Sequence, residues 1–202
     1  MTVRSPGFGR TRQDGRERVR SQLLDTALRL FAEHGYIGVR VEDIAKEAGV
    51  SRATFYKHFA EREEILAELF ARLVEDRPVP TPPGTDAEAL PRVRELLTTA
   101  ATRMVADEQL ARFVYTLPIR HAALLGEGAR PPVMEEVERL IERGAAAGAV
   151  RTDIPPTLIT AQIARTFEAA MRDWAEDRAS GVADHLALLL DLSFNGLVRQ
   201  GP

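Results

Sequence analysis

Arg52, Tyr56, Lys57 and His58 fall inside one short stretch, GVSRATFYKHFAER at residues 49–62, with the hydroxyls of Ser51 and Thr54 among them. Guanidinium, ammonium, phenol and hydroxyl groups are the donors that bind phosphate oxygens, and an arginine can also fork onto O6 and N7 of a guanine. A core helix would not hold Arg52, Lys57 and His58 so close together, and a plain surface helix would carry fewer aromatics. A turn of about 100° per residue resolves the conflict. Phe55 and Phe59 share one face, which must pack inward, while the opposite face centres on Ala53 and Lys57, flanked by Thr54 and Tyr56. Arg52 sits at the helix start, where a helix lying in a major groove approaches base edges. Ala53 is small enough to let such a helix sink in and can touch a thymine methyl, whereas Lys57, Tyr56 and His58 suit phosphates.

These donors need a frame, and the preceding residues supply one. Leu24, Ala27, Leu28 and Phe31 recur at i, i+3, i+4 and i+7, the stripe of an amphipathic helix ending near His34-Gly35. Val41, Ile44, Ala45 and Ala48 repeat that spacing in a short second helix stopped by Gly49. Ser51 is placed to cap the third helix, with Val50 and Phe55 positioned as a hydrophobic staple. The glycine-containing turn between the second and third helices is that of a helix-turn-helix. A solvated basic helix would explain any one of these features, but not the cap, the staple and the turn together.

The stretch LLDTALRLFAEHGYIGVRVEDIAKEAGVSRATFYKHFAEREEIL resembles the N-terminal domain of TetR-family transcriptional regulators over about residues 20–66. LFAEHGY, VEDIAKEAGVS and TFYKHFAEREEIL are its most specific parts. The resemblance implies a three-helix DNA-binding domain, a connecting fourth helix, and an all-helical body that dimerises and usually binds a small effector. Arg52, Ala53, Thr54, Tyr56, Lys57 and His58 then become the DNA-facing residues. Arg62 stands where the family usually has a lysine at the start of the fourth helix, and is expected to keep its phosphate contact. Val39 replaces a threonine that commonly caps the second helix and touches a phosphate; without that cap the helix start should be weaker by about 1 kcal/mol. Arg40 beside it is the substitute candidate for the phosphate.

Charge divides the chain in the same sense. Residues 1–62 hold 12 Lys+Arg against 8 Asp+Glu, whereas the remaining 140 residues hold 15 against 22. A positive first part on an acidic body suits a polyanion met at one end only. Arg4, Arg10, Arg12, Arg16, Arg18 and Arg20 crowd the first twenty residues, either as a solubilising extension or as an arm along phosphates or in a narrow minor groove.

The rest reads as helix, giving an all-α fold of about nine helices in two domains. Residues 1–62 form the DNA-binding domain with its arm at 1–20, and residues 63–202 the effector-binding and dimerisation domain. The breaks are RPVPTPPGTD (77–86) and AVRTDIPP (149–156). Stripes in the body present Phe113, Met134, Phe167, Met171 and Trp174, either as plain core or as walls of a pocket for a small, largely apolar effector. Arg120 and His121, after the Leu117-Pro118 break, are candidates for its polar end. LALLLDL (186–192) is apolar nearly all round; Leu186, Leu189 and Leu190 can face the chain's own core, leaving Leu188 and Leu192 for a partner. Two helices, about 156–177 and 182–199, would pair across a two-fold as a four-helix interface.

Other classes lose support. Zero cysteines exclude a disulfide or thiolate chemistry, and the four scattered histidines show no zinc-ligand spacing. No GxSxG elbow or phosphate loop occurs, and carboxylate pairs such as Glu135-Glu136 lie amid arginines. No enzyme, cofactor or metal is expected. Without an apolar run long enough to span a bilayer or a secretory signal, the expected location is the cytoplasm. The expected partners are palindromic double-stranded DNA, a second copy of the chain and the effector. An architectural DNA-binding dimer without an effector, or a helical enzyme on the same body, are the rivals.

Overall fold

The computed structural model describes residues 8–75, 79–117 and 132–195, and all regular structure among them is helical. Nine α-helices follow in order among the described residues: α1 Phe8–His34, α2 Val41–Glu47, α3 Arg52–His58, α4 Glu63–Glu75, α5 Ala89–Met104, α6 Glu108–Thr116, α7 Pro132–Ala146, α8 Pro156–Ala175 and α9 Val182–Asn195. A 3-10 turn, Asp86–Glu88, leads into α5. The chain divides into two compact units, Met1–Leu69 and Phe70–Pro202, so that the division falls within α4. Arg120 and His121 lie outside the described residues, as do the first three positions of the arm's arginine series in their side-chain placement.

In the first unit, α1 stops where expected. Gly35 takes a left-handed φ of 72° and its N–H donates to the Phe31 carbonyl at 2.9 Å. Gly49, φ 68°, does the same service after α2, letting Val50 N–H reach back to the Ala45 carbonyl at 2.9 Å. Gly38 is required for space: a Cβ there would lie 2.6 Å from the His34 carbonyl oxygen. Leu23, Ala27, Ile44, Phe55, Phe59 and Ile65 are all completely buried and form the centre of this unit.

The structure extends one expectation for this unit and revises another. First, α1 begins at Phe8, so the helix marked by the Leu24–Phe31 stripe takes in residues 8–20 of the arginine-rich segment. Arginine, glutamine and glutamate favour helix, and Gln13 bonds Glu17 one turn on at 3.3 Å. Second, the cap position of α2 is Arg40 and not Val39, which is buried. An arginine side chain cannot accept a bond from the helix amides. Asp43 nevertheless supplies the return half of a capping box, its carboxylate accepting Arg40 N–H at 2.9 Å.

In the second unit, α5 packs on α7 and α9, while α8 packs on α6, α7 and α9. Leu96, Leu97, Val137, Leu140, Ile163 and Leu186 lie fully buried between them. Gly144 lets α7 approach the start of α5 closely, since a Cβ there would stand 2.5 Å from the Ala89 Cβ. Thr85 and Glu88 cap the entry to α5, with Thr85 N–H donating to the Glu88 carboxylate at 2.8 Å. That bond, the largest influence, holds the Glu88 carboxyl below the usual range. The AVRTDIPP break lies between α7 and α8, with Pro156 in the first turn of α8 where its missing N–H costs nothing. On α9, Leu186 and Leu190 are buried, whereas Leu188 and Leu192 are 59% and 65% exposed.

Candidate nucleic-acid interface

The third helix is held from behind and capped at its start. Ser51 Oγ accepts Thr54 N–H at 3.0 Å and shares a hydrogen bond with Thr54 Oγ1 at 2.9 Å. Phe55 and Phe59 are both completely buried, their ring centroids 5.7 Å apart. Arg52, Ala53, Tyr56 and Lys57 are exposed on the helix, Tyr56 by 44%, and Thr54 is half-buried. Aromatic anchors and outward donors therefore occupy opposite faces, as the helical wheel predicts.

The outward face is not simply cationic. Arg52 pairs with Glu42 of α2 at 3.0 Å, and its guanidinium lies 5.6 Å from the Tyr56 ring centroid. A hydrogen bond with Tyr56, then the Glu42 charge, raise its already high pKa, so it remains a cation throughout the physiological range. Both partners of the Glu42 pair are more than half exposed, so a phosphate or a base edge can displace the carboxylate at little cost. Arg40 is exposed at the start of α2 and lines the same open recess as Arg52, Tyr56 and Arg62.

His58 and Arg62 are placed differently from the expectation of direct phosphate contact. His58 is half-buried at the end of α3 and its Nδ1 is buried without a partner. Burial first, then the charges of Arg16 and Arg20, lower its pKa, so the ring is neutral at neutral pH and adds no positive charge for a phosphate. Arg62 is turned inward, its side chain only 23% exposed. It donates to the carbonyls of Tyr36 at 3.2 Å and Val39 at 2.5 Å, and its guanidinium lies 4.1 Å from the Tyr36 ring centroid. Tyr36 in turn donates from its hydroxyl to Glu63 at 3.0 Å. Burial, followed by that bond to Glu63, raises the Tyr36 pKa and keeps the phenol protonated.

Two arginines of α1 take structural roles beyond those expected of a solubilising extension or a phosphate arm. Arg20 pairs with Glu68 of α4, donates to the His58 carbonyl, and lies 4.2 Å from the Phe59 ring centroid. Arg16 reaches the Lys57 carbonyl at 3.5 Å. The last carbonyls of a short helix lack intrahelical partners, and these guanidiniums supply them. Extending the α1 stripe backward by the same helical spacing passes through Arg20 and Arg16, a signal present in the sequence. Those two of the arm's arginines therefore hold α3 from inside its own unit.

In the second unit, a recess of about 260 Å³ is lined by Leu73 and Val74 of α4, Val79 and Thr81 of the linker, Ala100 and Met104 of α5, and Val133, Glu136 and Arg139 of α7, with Pro132 at its edge. None of the five expected effector residues is among these lining residues. Phe113, Met134, Phe167 and Met171 are buried core, and Trp174 is half-buried beneath Arg112, whose guanidinium lies 4.7 Å from its ring. Among the described residues no group of three or more His, Cys, Asp or Glu could hold a metal ion, and no helix is long and apolar enough to cross a membrane.

A capped, aromatic-anchored helix presented after a glycine turn defines a helix-turn-helix DNA-binding regulator. A family model described as bacterial regulatory proteins, tetR family, matches residues 23–69. The regulator TcmR of Streptomyces glaucescens is 30% identical over 188 residues, covering 86% of this chain and 79% of that protein. With a relative of that identity and extent, the chain belongs to the TetR family. The regulator AcrR of Shigella flexneri is 38% identical over 61 residues, but the match spans only 28% of AcrR and 30% of this chain. The crystal structure of Thermus thermophilus FadR, a TetR-family transcriptional repressor in complex with lauroyl-CoA, shares the fold at a TM-score of 0.58 and 23% identity, covering 91% of this chain and 97% of FadR.

Proposed function

We propose that this regulator is a cytoplasmic, homodimeric repressor that binds a palindromic operator and leaves it when a small, largely apolar molecule binds the second unit. The observation that carries the DNA contact is the outward set Arg52, Ala53, Tyr56 and Lys57 on a helix whose Phe55 and Phe59 are completely buried. Arg52 is the base reader, able to fork onto a guanine, and Lys57, Tyr56 and Arg40 are phosphate donors. Thr54 holds the cap with Ser51 and offers its methyl at the helix start. His58, neutral and half-buried, serves as a filler under the end of α3.

Two copies would read half-sites one helical turn apart, so the operator's symmetry mirrors that of the dimer. Leu188 and Leu192, exposed on α9 beside a buried Leu186–Leu190 face, support pairing through α8 and α9. The recess against the C-terminal end of α4 supports an effector that acts on that helix, and the lauroyl-CoA bound to FadR favours one that carries an apolar acyl chain. Such a ligand must bind the off-DNA conformation more tightly, or it shifts nothing.

Selection of a duplex from a randomised library by the purified protein tests the reading. A symmetric consensus with two half-sites is the expected outcome, and enrichment of no sequence above background refutes it. A thermal-shift screen with acyl chains then separates an effector-controlled repressor from an architectural dimer, since a ligand at 100 times its dissociation constant stabilises the fold by about 2.7 kcal/mol.

A further inference from the structure

Arg62 immediately precedes α4, and its guanidinium is engaged on several sides by the protein's own groups. Its Nη1 donates to two carbonyl positions of the α1–α2 loop, Tyr36 at 3.2 Å and Val39 at 2.5 Å. Its face stacks on the Tyr36 ring at 4.1 Å, and Glu63 Oε1 stands 3.8 Å from Nη2. Glu63, the first residue of α4, closes the ring by accepting the Tyr36 hydroxyl at 3.0 Å. Val39 is buried and directly precedes Arg40, the cap of α2, so its carbonyl lies one residue from the point where the helix-turn-helix begins.

A guanidinium with a planar fork suits this place, because it can serve two carbonyls and a ring face at once. An ammonium cannot make that set of contacts from one position. Those contacts occupy the Nη1 donors and one face of the guanidinium, and the side chain is only 23% exposed, so the group is committed to the loop before any phosphate approaches.

We infer that Arg62 is a positioning residue which, with Tyr36 and Glu63, clamps the start of α4 to the loop presenting α2 and α3, rather than a phosphate contact. The inference rests on the DNA-binding reading for its functional consequence. Displacement of α4 then drags the loop through Arg62 and carries the second helix with it. This gives α4 a grip on the reading head besides the peptide chain.

The test combines Arg62→Met, Arg62→Lys, Tyr36→Leu and the double variant Arg62→Met/Tyr36→Leu, each titrated against the duplex that the wild-type protein selects. Were Arg62 a phosphate donor, its removal would flatten the plot of log K against log salt by about 0.9. The clamp gives the opposite set of results. Arg62→Met should weaken binding about ten- to a hundredfold with the salt slope unchanged, as expected for charge-assisted bonds that hold the loop. Arg62→Lys, which keeps charge but not the fork, should fail to restore affinity. Tyr36→Leu should show the same defect, and the double variant should be no worse than either single one, as for residues that act as a unit. A flattened slope in Arg62→Met, full recovery in Arg62→Lys, or additive losses in the double variant would each overturn the assignment. If the wild-type protein selects no duplex, the DNA reading has failed and the clamp is judged by melting temperature. Non-additive losses across the same variants then support it, and additive losses refute it.

Discussion

Replacing Leu188 and Leu192 together by glutamate should convert a dimer into a folded monomer. The two side chains are 59% and 65% exposed in the isolated chain, so each retains more than half of its burial free energy. Full burial of a leucine is worth about 1.5–3 kcal/mol, which leaves about 1–2 kcal/mol for each of these and about 4–8 kcal/mol for the four in a two-fold pair. At 1.4 kcal/mol per tenfold, removing that contribution alone raises the dimer dissociation constant by about three to six orders of magnitude. Four buried carboxylates facing one another would add a further penalty. Because both positions are exposed within the chain, the fold should survive, with helical circular dichroism retained and a change in stability of the monomer within about 0.5 kcal/mol. Light scattering at micromolar concentration reads the result directly. The wild-type protein should show twice the 22.3 kDa chain mass and the double variant a single chain mass. A wild-type mass of one chain, or a double variant that stays dimeric, refutes this interface.

Phe167→Ala should destabilise the second unit by about 3–5 kcal/mol in urea titration, because a ring that is 1% exposed leaves a cavity its neighbours cannot fill. A change below about 1 kcal/mol, with DNA release by ligands abolished instead, would return Phe167 to a pocket wall. For His58, the folded pKa lies below the ordinary 6.5 because burial and the nearby arginines oppose the charged ring. The unfolded chain therefore binds the proton first, so the ring's contribution is complete above about 6.5 and falls as pH drops toward the lower folded value. Replacing His58 by glutamine should remove that part of the acid sensitivity of the first unit, measured as melting temperature against pH; an unchanged slope between pH 7 and 5 would exclude the assignment.

The α2–turn–α3 segment was legible because several local signals agreed on it: the apolar spacing of Ile44 and Ala45, the left-handed Gly49, the Ser51 cap and the Phe55–Phe59 face. Leu186, Leu188, Leu190 and Leu192 were likewise separable into inner and outer sides, since helical period alone decides it. Arg16, Arg20 and Arg62 were not legible as structural groups. Helical spacing places Arg16 and Arg20 on the Leu24–Phe31 side of α1 but does not name their partners, which are backbone carbonyls and the distant Glu68, and an arginine beside a recognition helix reads first as a phosphate donor. The first turns of α1 carry no such signal for a related reason: the apolar stripe begins at Leu24, and the turns before it hold polar contacts such as Gln13 to Glu17 instead. Lining residues of the recess were missed because Leu73, Met104 and Val133 come together only once α4, α5 and α7 are packed. Large side chains such as Phe167 and Trp174 are easier to notice in a sequence, yet their size suits them to core and to the α6–α8 contact.

On the proposed function, α3 binds DNA through an outward face on which Lys57 is the exposed cation beyond Arg52, the proposed base reader. Fluorescence anisotropy of a labelled selected duplex, titrated over a series of salt concentrations with wild-type and Lys57→Ala protein, tests it most directly. Wild-type affinity should fall linearly in log K against log salt with a slope of about −0.9 per phosphate neutralised. Lys57→Ala should weaken selected and unrelated duplexes alike and flatten the slope by about one for each Lys57 contact removed. A wild-type affinity indifferent to salt, or a Lys57→Ala protein with the wild-type slope and affinity, would contradict DNA binding through this face.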